Sequence, residues 1–169
     1  DRVNNTKLTN SVLALVLLVA FLLYLAMITP ERFGAYYDDG MFVAAAKSLA
    51  SGQGYRTISL PEDKPQTVIP PLYPFLLSLI WRIIPQFPSN LTWMMLLSVL
   101  STVSFLFMGY LYLFKNGYAT RWQAIVVLAL AGINWRTMLL AGNIMSDMSY
   151  SALSLVALHF AERITSQRH

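Results

Sequence analysis

The stretch 70-PPLYPFLLSLIWRIIP-85 decides how this chain is threaded. By hydropathy it resembles a membrane crossing, but prolines bound it at both ends and its helical part, Leu72 to Ile84, reaches only about 20 Å at 1.5 Å per residue. A bilayer core is about 30 Å thick, so this helix is too short to cross and is expected to stay on one face. Proline at the front of a helix is tolerated and beyond its end stops it, so the boundaries are readable.

Outward from it, the apolar residues come in blocks. Ser11 to Ile28 (SVLALVLLVAFLLYLAMI) carries no charge, and Leu91 to Phe114 is long enough to cross. Trp122 to Leu140 holds Arg136 within it, and Met148 to Ala161 is the last block. The chain is 56% hydrophobic and 12% charged, too apolar for an ordinary soluble domain. A cleaved leader is the rival for the first block, with Arg2 and Lys7 before it, but the run ends in TPERF rather than in a small-x-small site. The expected fold class is therefore all-α: a polytopic membrane helical bundle of about four transmembrane helices, at about 11–29, 91–114, 122–141 and 147–163, plus outer-face juxtamembrane helices within a loop over 30–90.

With the Pro-bounded helix held on one side, Arg2 and Lys7, Lys115 and Arg121, and Arg163 and Arg168 share a face, which the positive-inside tendency makes cytoplasmic. The net charge of +4 thus reports membrane orientation, and no nucleic-acid partner is implied. The chain has no cysteine, which excludes disulfides and thiolate sites. His159 and His169 have no paired metal-ligand spacing, so no metal site is expected from histidine.

The same threading puts 36-YYDDG-40 and 142-GNIMSDMSY-150 on the outer face, so that Asp38, Asp39 and Asp147 are expected to meet there. Asp38 or Asp39 is the natural cap and first turn of a helix over MFVAAAKSLA, with Phe42, Ala45, Ala46 and Leu49 on one face against the membrane and Gly52 and Gly54 ending it. Asp147, after Ser146, has the same capping option at the last helix. Between the two outer helices, the polar strip 55-YRTISLPEDKPQTVIPP-71 carries Arg56 and Lys64, which suit either an anionic headgroup or ordinary interfacial positions.

The order of these elements resembles the N-terminal part of the GT-C membrane glycosyltransferases, of the protein O-mannosyltransferase and lipid A aminoarabinose transferase type. The resemblance is carried by the outer acidic pair, then Ala45, Leu49, Gly52 and Gly54 as A-x3-L-x2-G-x-G, then the PPLYP helix, a span ending in basic residues, and Ser146-Asp147 opening the next helix. It runs from Leu13 to about Glu162, with the chain expected to be a fragment, inactive alone, that starts at Asp1 and stops after an apolar segment. It implies a polyprenyl-phosphate sugar donor, a lipid, glycan or protein acceptor, and an inner-membrane enzyme of bacterial type with its N-terminus cytoplasmic and its active loop outside.

By the same resemblance Asp38 is the general base, and Asp39 stands with it at the catalytic position where glutamate is usual. Asp147, Arg56, Lys64 and Tyr37 are the substrate-binding candidates. Val68 and Ile69 replace the acid and lysine that some relatives carry, so headgroup contacts from there do not transfer to this chain. An inverting transfer needs one base, because the phosphate leaves as a stable anion. The other acids orient the acceptor or, alternatively, hold a divalent cation as cofactor. The rival class is a transporter or channel with an acidic ion site, which calls for broken helices and an internal repeat.

Overall fold

The computed structural model describes residues 2–61 and 64–166, with the side chains of residues 6–61 and 64–165. The helices are α1 (Arg2–Ala26), α2 (Tyr37–Ala50), α3 (Leu72–Ile83), α4 (Leu91–Lys115), α5 (Arg121–Gly132), α6 (Trp135–Ala141) and α7 (Asp147–Ser166), with a 3-10 turn at Pro30–Arg32. Among the described residues there is no strand, only an antiparallel bridge between Arg56 and Pro65. The expected basic flanks Arg168 and Arg2, the former whole and the latter by its side chain, lie outside what is described, as does His169.

Among the described residues, two helices are long and apolar enough to cross a membrane, Thr6–Ala26 within α1 and all of α4. A third crossing exists only if α5 and α6 count together, and they meet at 67°. This is fewer than the four expected. The shortfall at α7 has a compositional cause: the helix is 20 residues long, but Ser149, Ser151, Ser154, His159, Glu162 and Arg163 dilute its apolar residues.

The shortfall at the third span is a break in the backbone where one continuous helix was expected. Asn134 ends the run by capping α6, its Oδ1 accepting the Arg136 N–H at 2.9 Å. A carbonyl freed at the end of a helix in an apolar setting needs a partner. The Tyr24 hydroxyl of α1 supplies one, donating to the Gly132 carbonyl at 2.8 Å. Beyond α6, Gly142 presses on the end of α1 so closely that a Cβ there would lie 2.6 Å from the Met27 carbonyl oxygen.

Two apolar clusters organise the chain. One joins α1, α4, α5 and α6 through Leu13, Tyr24, Val99, Leu106, Leu128 and Ala141. The other joins α2, α3 and the start of α4 with Ile144, through Phe42, Val43, Tyr73, Leu77 and Met94. α2 is not a helix with a single apolar face laid on a membrane, as expected. Asp39, Phe42, Val43, Ala45, Ala46 and Ser48 are all buried, so most of its circumference is covered by protein.

α4 and α7 run side by side in the same direction. Ser149 donates to Ser101 at 2.8 Å toward one end, and Tyr112 donates to Glu162 at 2.5 Å toward the other. The bundle thus has two distinct ends. α2, α3 and the turn before α7 gather at one, where Ile144 and Met145 join the second cluster. The loop after α4 and the last turns of α7 gather at the other, where Tyr118 also donates to Glu162, at 2.9 Å.

Candidate functional site

The adjacent acids part company in the first turn of α2. Successive helix positions point about 100° apart, so two neighbouring aspartates cannot share a surroundings. Asp39 falls in line with Phe42, Val43 and Ala46 and is 2% exposed. Its Oδ2 accepts the Gly34 N–H at 2.8 Å and its Oδ1 the Gly40 N–H at 2.6 Å. Gly34 has φ of +89°, a left-handed conformation suited to glycine, and the turn it makes folds the incoming chain back onto this carboxylate. Asp38 is exposed.

Neither aspartate is the helix cap that the sequence suggests. Tyr36 occupies the cap position without a side-chain hydrogen bond, and both acids lie inside the first turn. A carboxylate there still benefits from the positive end of the helix dipole. Asp147 follows the same pattern: it is the first residue of α7 rather than the one before it, and it is exposed.

Tyr73 packs between α2 and α4, in one cluster with Ile144 ahead of α7. It is 4% exposed, its ring meets Phe42 of α2 edge-on at 5.1 Å, and its hydroxyl pairs with Ser98 of α4 at 2.8 Å. Burial pushes its phenol well above the ordinary range and Asp147 pushes it further, while the bond to Ser98 pulls the other way. Tyr73 also walls a groove of about 220 Å³ between α3 and α7, together with Leu72, Leu76, Ser146, Ser149 and Leu153. Sequence reasoning quoted this tyrosine within PPLYP without assigning it a role. Its aromatic ring with a polar tip inside an otherwise apolar helix was the available signal.

The remaining candidates are spread around this end. Tyr37 opens α2 and is 84% exposed. Arg56 is half-buried and Lys64 exposed on a short antiparallel pairing, in which Thr57 donates to the Lys64 carbonyl at 2.8 Å and Gln66 to the Tyr55 carbonyl at 2.9 Å. The Tyr55 hydroxyl pins that pairing toward α3 by donating to the Ile69 carbonyl at 2.7 Å, and burial raises its pKa. The paired residues 55–57 and 64–66 thus form a platform that carries both cations.

Among the described residues, Asp38, Asp39 and Asp147 do not gather into a group of three able to hold an ion. They share one end of the bundle, with Asp39 withdrawn into the protein and the other two on its surface. The arrangement leaves two exposed carboxylates at the starts of α2 and α7, with the apolar groove beside the second. Comparison with family models, curated proteins and solved structures finds no match to the chain.

Proposed function

We propose that this chain belongs to a membrane glycosyltransferase that moves a sugar from a polyprenyl-phosphate donor to a lipid, glycan or protein acceptor outside the cytoplasm, with inversion. The observation that carries the reading is the division of the acidic pair: Asp39 is locked to two backbone N–H groups while Asp38, on the same turn, faces out. A general base must be held in place and must also reach the proton it removes. Asp39 meets the first need and Asp38 the second.

In the reaction Asp38 takes the acceptor hydroxyl proton as that oxygen bonds to the anomeric carbon. The bond from that carbon to the donor phosphate oxygen breaks, and its electron pair leaves with polyprenyl phosphate. Asp147 orients the acceptor from the start of α7, while Arg56 and Lys64 lie on the platform suited to the leaving phosphate. Tyr37 offers an exposed aromatic face next to the base.

The packing supports α7 as a further crossing. It runs along α4 from Ser101 to Tyr112, directs Ser149 and Glu162 at that neighbour, and leaves Leu153, Leu158, Phe160 and Ile164 exposed. Polar side chains toward protein and apolar ones outward suit a helix in lipid. With α7 crossing, the acids lie on the extracytoplasmic side and the N-terminus of the chain in the cytoplasm.

A transporter is the second reading, favoured by the break between α5 and α6. That break carries an arginine, Arg136, and no carboxylate, and the exposed acids start α2 and α7 instead. Membranes containing the full-length protein, supplied with labelled polyprenyl-phosphate sugars, should transfer label to an acceptor. Asp38→Asn should lower the rate by about 100-fold or more at normal abundance. Near-normal turnover in that variant would remove Asp38 from the mechanism, and proton-coupled uptake without transfer would favour the transporter.

A further inference from the structure

The two exposed acids are far apart in sequence, and each starts a helix whose neighbours must set their separation. Phe42 stands one helical turn beyond Asp38 on α2, buried where Asp38 is exposed. Its ring is held edge-on by Tyr73, whose hydroxyl is bonded to Ser98 inside the bundle. On the opposite side, Tyr73 belongs to the same apolar cluster as Ile144 and Met145, which lead into α7, and it shares a groove with Ser146 and Ser149. One side chain thus touches α2 and α4 and packs in one cluster with the approach to α7.

We infer that Tyr73 is a positioning residue that fixes the spacing of Asp38 and Asp147 by clamping the starts of α2 and α7 to α4. Its hydroxyl sets height against Ser98, and its ring sets the lateral position of Phe42 and therefore of the turn that carries Asp38. The catalytic consequence rests on the transferase reading, whereas the clamp itself does not. In a reaction that depends on placing a base against an acceptor, a displacement of about 1 Å can cost on the order of 100-fold.

The native chain lacks cysteine, so spin labels can be placed cleanly at Lys47→Cys on α2 and Ala157→Cys on α7, both exposed. In bilayer discs, Tyr73→Leu should widen the distance distribution between these labels about twofold, and Tyr73→Phe, which keeps the ring, should widen it less. In transfer assays Tyr73→Phe should lower kcat about tenfold with acceptor KM unchanged, and this loss should shrink when Asp147→Asn is already present.

A distribution as narrow in Tyr73→Leu as in the native protein overturns the clamp. A widened distribution with unchanged kcat overturns the positioning role. Fully multiplicative losses with Asp147→Asn do the same. If Tyr73→Leu fails to accumulate, Tyr73→Phe combined with Ser98→Ala makes the distance measurement with the ring in place. Absence of transfer by the native protein defeats the transferase reading, and the label distances then still decide the clamp.

Discussion

The two ends of the bundle each tie down a carboxylate, in opposite ways. At one end Asp39 binds backbone N–H groups no more than five residues away. At the other, Glu162 receives the hydroxyls of Tyr112 and Tyr118, residues 50 and 44 positions distant. The first tie shapes a local turn and leaves Asp38 exposed beside it. The second straps α7 to α4 and to the loop after it. An acid used to set a loop leaves its neighbour available for chemistry, whereas an acid used as a strap is itself consumed by structure.

The contrast breaks most visibly at Asp39. Asp39→Ala removes the acceptor of the Gly34 and Gly40 N–H groups, two part-buried hydrogen bonds, at about 0.5–1.5 kcal/mol for each bond lost. A clearly lowered thermal midpoint, with transfer lost as α2 loosens, is the expected result. A melting curve matching the native one would make the tie incidental.

A smaller effect is expected at the strap. The hydrogen bond to Glu162, followed by its charge, raises the Tyr118 phenol above the ordinary value of about 10. The raised value means the tie is intact below the ordinary phenol value and is lost as pH climbs through the folded one. Glu162→Gln should let the Tyr118 phenol fall back toward its ordinary value, visible by fluorine resonance with 3-fluorotyrosine at position 118. An unmoved titration in that variant would show that the strap does not operate in solution.

The smallest effect is expected at Asp147. Because it is the first residue of α7 and not its cap, Asp147→Asn removes only a favourable charge near the helix dipole, about 0.3–1 kcal/mol. Transfer should fall by more than this stability change explains. Native activity in Asp147→Asn would reduce the site at this end to the acidic pair on α2.

Much of the architecture was legible because it depends on length and local chemistry. Proline spacing gave the extent of α3, an uncharged run gave α1, and Gly52 and Gly54, both at positive φ, gave the end of α2. What escaped depended on contacts between distant residues. Asp38 and Asp39 are chemically identical in the sequence, and only the fold of the turn at Gly34 withdraws one of them. The break after Gly132 was signalled locally by Asn134 and Arg136, but its accommodation needs Tyr24 from α1. Tyr73 could be assigned no role until α2 and α4 stood on either side of it.

The shared direction of α4 and α7 bears on how such a protein enters a membrane. α7 follows α4 off the ribosome, and it is the more polar helix, with Ser149 and Glu162 needing partners that lipid does not offer. α4 is already furnished with Ser101 and Tyr112 at matching heights. On the threading proposed above, integration of α7 depends on recognition by a helix that arrived earlier, so removing the Ser101 and Tyr112 hydroxyls should leave α7 outside the bilayer before it disturbs either end of the bundle.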